Sequence, residues 1–214
     1  MGVVVAIVLV LAGLFAGYVL VGWWMRHHPS ALPYRLRFFL AAPRRALRRE
    51  RLMEILHPEK GERVLEVGPG TGYYTFAVAE ALETGRLDIL DIQQEFLDQV
   101  NRTAKARGIG NIVPTVGDAS SLPYESNTFD ALFLVSVLGE IPDEKGALNE
   151  FARVLRPRGR LVVGESLPGG DPHAILFSKL RDRVAPFGFE FERRLGNRMS
   201  YFACFLANGS SRSE

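Results

Sequence analysis

The sequence predicts an α/β fold: a doubly wound, mainly parallel sheet of seven strands, preceded by one transmembrane helix. Strand-like and helix-like segments alternate along most of the chain, the pattern of a parallel sheet covered on both faces. A short apolar strand, Val64-Leu65-Glu66-Val67, runs straight into Gly68-Pro69-Gly70-Thr71-Gly72, and Phe76, Val78, Ala79 and Leu82 follow at helical spacing. The transmembrane helix is predicted because residues 2–25 contain no charged side chain.

Bulk composition bounds the rest. A chain of 214 residues is long enough for one α/β domain with a sizeable core and a short appendage. With 47% hydrophobic residues and a net charge of only +2, neither general disorder nor a strongly electrostatic partner is implied by the chain as a whole, although the charge is unevenly placed. Cys204 is the only cysteine, so no intrachain disulfide forms, and its apolar setting in residues 201–206 predicts a buried thiol. His27, His28, His57 and His173 form no ligand-spaced cluster, and no metal is expected.

The sequence divides into a transmembrane helix (2–25), a basic juxtamembrane linker with a first helix (26–57), the α/β domain (58–207) and a disordered tail (208–214). The apolar run is long enough to span a bilayer; it tolerates Gly13, Gly17 and Gly22 and ends on an interfacial pair, Trp23 and Trp24. A cleaved signal peptide would want a charged start and a small-residue cleavage site, which this run lacks. Arg26, Arg35, Arg37, Arg44, Arg45, Arg48, Arg49 and Arg51 follow, opposed only by Glu50. The positive-inside rule then places a single-pass protein with its α/β domain in the cytoplasm. The arginines read either as a solvated helix face or as attraction to anionic lipid. Pro43 suits the first turn of a helix running to about residue 56.

Within the domain, strands are expected at residues 64–67, 86–91, 112–116, 129–135, 160–164, 189–194 and 200–206. The run 129–135 is almost wholly apolar, as a central parallel strand should be. The last two strands can pair antiparallel at the sheet edge. Helices are expected from residue 73 to about 83, over 94–107 and over 144–155, and from a cap at Asp171-Pro172 to about 184. The glycine turn belongs to a strand–turn–helix unit, where the backbone bends sharply and a ligand approaches without Cβ atoms in the way. The spacing is G-x-G-x-G, with Tyr73 where a dinucleotide fingerprint wants glycine. Asp91 closes the next strand, about 20 residues on, where a ribose-binding carboxylate belongs.

Several segments together resemble the class I S-adenosylmethionine-dependent methyltransferases of the small-molecule and lipid or quinone-modifying type, and hence a Rossmann-like sheet. The segment from Val64 to Gly72 resembles their first motif, and Asp91 matches their second-strand acid. Gly117-Asp118-Ala119, Leu122-Pro123-Tyr124, Phe129-Asp130 and Arg153-Val154-Leu155-Arg156-Pro157-Arg158-Gly159 follow in the family's order, with Arg158 where the usual pattern has glycine. The resemblance implies S-adenosyl-L-methionine as cofactor. It implies that Gly68, Gly70 and Gly72 admit the methionine part and that Glu66 meets its ammonium group, unless Glu66 caps loop N–H groups. Asp91 would accept from both ribose hydroxyls. Asp118 would accept from the adenine amino group, or serve as a turn residue, with Ala119 leaving room beside the ring. Ile92 would pack on adenine or in the core. Val135 would border the transferring methyl group. Glu140 is the ionisable candidate on the acceptor side, as a base or a loop cap. A reactive sulfonium aligned in a dry site has little need of a base, so direct in-line displacement is expected.

The function expected is therefore a membrane-anchored methyltransferase acting on a small hydrophobic acceptor, lipid or quinone-like. Tyr34, Phe38 and Phe39 either line its entry or pack on the domain. A non-catalytic, membrane-tethered cofactor-binding module and an NAD-dependent oxidoreductase are the alternatives; the glycine spacing disfavours the latter. No nucleic acid partner is expected, because the basic cluster adjoins the apolar run.

Overall fold

A computed structural model describes residues 47–167 and 173–208, residues 33–35 and scattered positions between residues 2 and 20. The described positions of that last segment are helical and exposed. Among the described residues no helix is long and apolar enough to cross a membrane. Much of the transmembrane helix expected over residues 2–25 lies outside the described residues, as do most of the linker and residues 209–214 of the expected tail. Asn208, where that tail was expected to begin, still donates its N–H to Gly188 O at 2.7 Å.

The domain is one seven-stranded sheet with helices on both faces. In chain order the elements are α1 (Arg49–Leu56), β1 (Arg63–Val67), α2 (Thr75–Leu82), β2 (Arg86–Asp91), α3 (Gln94–Arg107), β3 (Ile112–Val116), β4 (Phe129–Val135), α4 (Glu144–Val154), β5 (Leu155–Ser166), α5 (Phe177–Val184), β6 (Phe189–Gly196) and β7 (Ser200–Ala207). The strand order is β3-β2-β1-β4-β5-β7-β6. Strands β1 to β5 pair parallel, and β7 runs antiparallel between β5 and β6. The sheet is thus mixed, and the last two strands do form the expected antiparallel pair.

Strand alternation sends successive side chains to opposite faces. One face carries Val64, Ala131, Phe133, Val162 and Phe202 against Leu52 and Ile55 of α1, Val78 and Leu82 of α2, and Leu97 and Val100 of α3. The other carries Leu65, Leu132, Leu134, Val163 and Ala203 against Leu148 and Phe151 of α4 and Leu180 and Val184 of α5. Each fully buried Leu, Val or Phe contributes roughly 1.5–3 kcal/mol of apolar transfer. Cys204 lies wholly buried, and burial pushes its thiol up to about 12.

Three element boundaries differ from the sequence expectation by more than two residues. The helix expected from Pro43 begins only at Arg49, because Leu47 and Arg48 are not helical. Leu47 is buried and its carbonyl accepts the Tyr74 hydroxyl at 2.7 Å, while Arg48 is extended. The helix expected from Asp171 begins at Phe177, after an irregular stretch at 173–176. β5 starts at Leu155 rather than at 160, because Leu155 pairs with Phe129 before Arg160 pairs with Ala131. Residues 156–159 form a bulge inside this strand, and Arg158 occupies it at φ 66°.

Candidate active site

The site forms at the carboxyl ends of β3, β2, β1 and β4, four neighbouring strands. Ligands in open parallel sheets bind beyond that edge. The polypeptide leaves β1 through Gly68, Gly70 and Gly72, all left-handed, with φ of 69°, 53° and 84°. L-residues with side chains adopt that region at a cost, so the sharp bend is why glycine recurs here. Space also enforces it. A Cβ on Gly68 would stand 2.6 Å from Val137 Cγ2, and one on Gly72 would stand 2.8 Å from the Phe76 ring. Gly68 N–H donates to Leu90 O at 2.8 Å, fixing the bend to the end of β2.

Glu66 is 2% exposed, one residue before the bend. Its Oε2 atom has no hydrogen-bond partner, and neither does Thr75 Oγ1 at the start of α2. Burial raises the Glu66 carboxyl to about 8, with the Asp91 charge adding to that shift. A buried, orphaned carboxyl oxygen is costly unless a ligand completes it. Asp91 closes β2. Its Oδ1 accepts Gln93 N–H at 2.9 Å, and burial is the main cause of its rise to about 6. Ile92 is 56% exposed, so the structure places it at the site's rim and not in the core.

Asp118, just past β3, is exposed, and its Oδ1 accepts both the N–H and the hydroxyl of Ser120 at 2.8 Å. That is a turn geometry. Ala119 beside it is buried. Val135 ends β4 and pairs with Gly164 of β5. Ser136 follows at φ 55° and donates its N–H to Gly164 O at 2.8 Å. Glu140 sits half-buried in a 3₁₀ turn, Leu138–Glu140, past the β4 end.

Side chains beyond the expected cofactor-binding residues also border this region. Val137 covers Gly68. Tyr73 is 43% exposed beside the bend, with the Arg49 guanidinium 5.7 Å from its ring centroid. Tyr34 docks next to Asp91: its N–H donates to Gln93 Oε1 at 2.9 Å, its hydroxyl to Gln99 Oε1 at 3.1 Å, and its ring meets Phe96 edge-on at 5.0 Å. Its place against α3 agrees with packing on the domain. Only the tertiary contact reveals it, since nothing in the local sequence links residue 34 to residue 93.

The fold and this glycine-bend site are similar to those of the S-adenosylmethionine-dependent methyltransferases. The orphaned Glu66 oxygen and the Cβ-free bend fit an adenosyl sulfonium ligand, and the fold and family imply S-adenosyl-L-methionine as the cofactor. Residues 64–159 match the family model described as "Methyltransferase domain". The ubiquinone/menaquinone biosynthesis C-methyltransferase UbiE of Roseobacter denitrificans is 35% identical over 118 residues, 55% of this chain and 47% of that protein. The demethylmenaquinone methyltransferase of Geobacillus kaustophilus is 36% identical over 119 residues, 55% and 51% of the two chains. The chain thus spans about half the length of the curated relatives it matches. Among solved structures, a SAM dependent methyltransferase from Aquifex aeolicus superposes with a TM-score of 0.73 at 19% identity, covering 82% of this chain and 98% of that one. The [4+2]-cyclase SpnF superposes with a TM-score of 0.67 at 22% identity, covering 76% and 80%.

Proposed function

We propose that this chain transfers a methyl group from S-adenosyl-L-methionine to a small hydrophobic, quinone-like acceptor at a membrane surface. The observation that carries the cofactor half is the buried Glu66 carboxyl set against the Gly68 bend, with Asp91 on the neighbouring strand. Glu66 would hold the ammonium group, the bend from Gly68 to Gly72 the methionine backbone, and Asp91 the ribose hydroxyls. Ile92, Asp118 and Ala119 would flank the adenine, and Val135 the methyl group. The cofactor supplies an electrophilic methyl on a positive sulfur. The chain's own work is to bind, align and exclude water, which raises effective concentration without covalent chemistry by the protein. Glu140 remains a candidate acceptor-side carboxylate.

The acceptor class rests on the quinone-pathway names of the relatives that are about 35% identical. The membrane half rests on the uncharged run 2–25, proposed as a single-pass anchor with the domain cytoplasmic, and on the arginines behind it. No nucleic acid partner is proposed.

The test is incubation of the full chain with methyl-labelled cofactor and a lipid extract, followed by identification of labelled products. A labelled quinone-class lipid is expected. Firm cofactor binding without any labelled product would favour a tethered binding module.

A further inference from the structure

The exposed apolar side chains of the domain gather at one edge of the sheet. Among its described residues six large ones are exposed: Tyr73, Ile92, Val116, Leu176, Phe191 and Met199. All but Phe191 stand at or beyond the edge where β1 to β5 end, the edge that carries the site. Singly, such residues are ordinary on a protein surface. Tyr73 and Ile92 border the proposed cofactor site, and Val116 ends β3. Leu176 and Met199, 36% and 52% exposed, line no part of that site and belong to neither core cluster.

Backbone bonds hold these two close together. Just past the paired residues Ser166 and Ser200, Leu167 N–H donates to Met199 O at 2.8 Å. Phe177 N–H donates to Arg198 O at 3.5 Å, so Leu176 and Met199 are the chain neighbours of a bonded pair. The turn from β6 to β7 is itself ordered. Gly196 turns at φ 101°, and Asn197 Oδ1 accepts the N–H groups of Met199 and Ser200 at 2.8 and 2.9 Å. A tight turn thus presents Met199 to solvent.

The charge around this tip has one sign. Residues 173–181 and 193–200 include Lys179, Arg181, Arg193, Arg194 and Arg198 and no acidic side chain. Arg193 is bonded to the α1 carbonyls of Glu54 and Ile55, and Arg194 lies 4.4 Å from the Phe177 ring centroid. Lys179, three residues after Leu176, and Arg198, one before Met199, are exposed. At the far end of the same edge Glu95 and Asp118 are exposed, so the edge is not uniformly basic. Protruding apolar side chains flanked by cations suit a soft apolar medium with an anionic surface, not a rigid groove. The uncharged run 2–25 reaches the domain at this edge too, since Tyr34 N–H donates to Gln93 Oε1 just past β2.

We propose that the β6–β7 tip docks on an anionic lipid bilayer, with Leu176 and Met199 entering the acyl boundary and Lys179 and Arg198 meeting lipid phosphates. The contact goes beyond the methyltransferase reading and does not depend on it. It turns the edge that bears the site toward the bilayer.

The experiment places an environment-sensitive dye on the full chain at Met199→Cys, or at Lys60→Cys in the turn at the opposite edge. Cys204 is wholly buried and does not compete for the dye. Each labelled chain is incorporated into vesicles of equal parts phosphatidylcholine and phosphatidylglycerol, with and without bromine on the lipid chains, and into vesicles of phosphatidylcholine alone. In the anionic vesicles brominated chains should quench the dye at 199 and leave that at 60 bright. Lys179→Glu with Arg198→Glu should cut the quenching at 199 about tenfold or more, and removing phosphatidylglycerol should also lower it. Where the Met199→Cys chain does not fold, Leu176→Cys carries the dye with the same expected result. Equal quenching at 199 and 60, or quenching at 199 indifferent to both charge reversal and lipid charge, overturns the proposal. Self-quenching between labelled chains without quenching by lipid would put a second copy on the tip and overturns it as well. Neither readout involves methyl transfer, so failure of that reading leaves this one standing.

Discussion

Val137 occupies the space where a Gly68 side chain would go, with Cγ2 2.6 Å from the ideal Cβ position. The segment past β4 and the bend past β1 are therefore fitted to each other through a missing methyl group. Gly68→Ala must strain a left-handed backbone, at about 1–2 kcal/mol, and also push Val137 aside. It should lower Tm by several degrees and weaken cofactor binding at least about tenfold. Val137→Ala in the same chain should recover part of the loss, which a double-mutant cycle reads directly. Fully additive effects would mean that the two residues are not coupled.

Glu66 sets a pH dependence. Its folded-state value of about 8 lies above its ordinary value of 4.5. The folded state therefore holds a proton that the unfolded chain has lost, and stability falls as pH rises between those values. Its contribution is complete below pH 4.5 and is lost by about pH 8. Glu66→Gln should flatten this slope, gaining stability over the wild type toward pH 8 by at most about 5 kcal/mol. A bound ammonium group favours the ionised carboxyl, so cofactor binding near pH 7 should release protons. Calorimetry in buffers of different ionisation enthalpy should detect that release in the wild type and find it much reduced in Glu66→Gln.

Arg158 stands exposed in the β5 bulge at φ 66°, where the family pattern has glycine. Arg158→Gly should remove left-handed strain and raise stability by about 0.5–1 kcal/mol, less what the added freedom of the unfolded chain takes back. Chemical denaturation reads the change as a higher midpoint at unchanged slope. A lower midpoint would show that the arginine makes contacts worth more than the strain.

Much of this architecture was legible in the sequence. Apolar runs such as Phe129–Val135 and the amphipathic Gln94–Arg107 are recovered to the residue, because burial on one or both faces dictates their pattern. The order of the site was legible too, since Glu66, Asp91 and Val135 each close a strand or stand next to its end. Boundaries set by tertiary contacts were not. Leu47 is held out of α1 by Tyr74, and Leu155 is drawn into β5 by Phe129. The burial of Glu165 was not legible, because it depends on β7, whose paired Tyr201 lies 36 residues downstream. Ile92 was undecided between ligand wall and core, and its exposure removes the core reading.

Tyr34 links the linker to the ribose side of the site through Gln93. Tyr34→Ala removes the hydroxyl bond to Gln99 and the edge-on contact with Phe96, together worth about 1–2 kcal/mol. Trypsin should then cut at Arg35 roughly tenfold faster, while denaturation of the domain is nearly unchanged. An equal cutting rate would mean that this contact does not hold the linker.

The central claim is that the bend after β1 and the carboxylate closing β2 hold an adenosyl sulfonium compound. Calorimetric titration of S-adenosylmethionine into the full chain and into Asp91→Ala tests it most directly. Saturable one-to-one binding by the wild type, weakened about tenfold or more in the variant, is the predicted result. No heat of binding from the folded wild type at millimolar ligand, or equal affinity in both proteins, would contradict it.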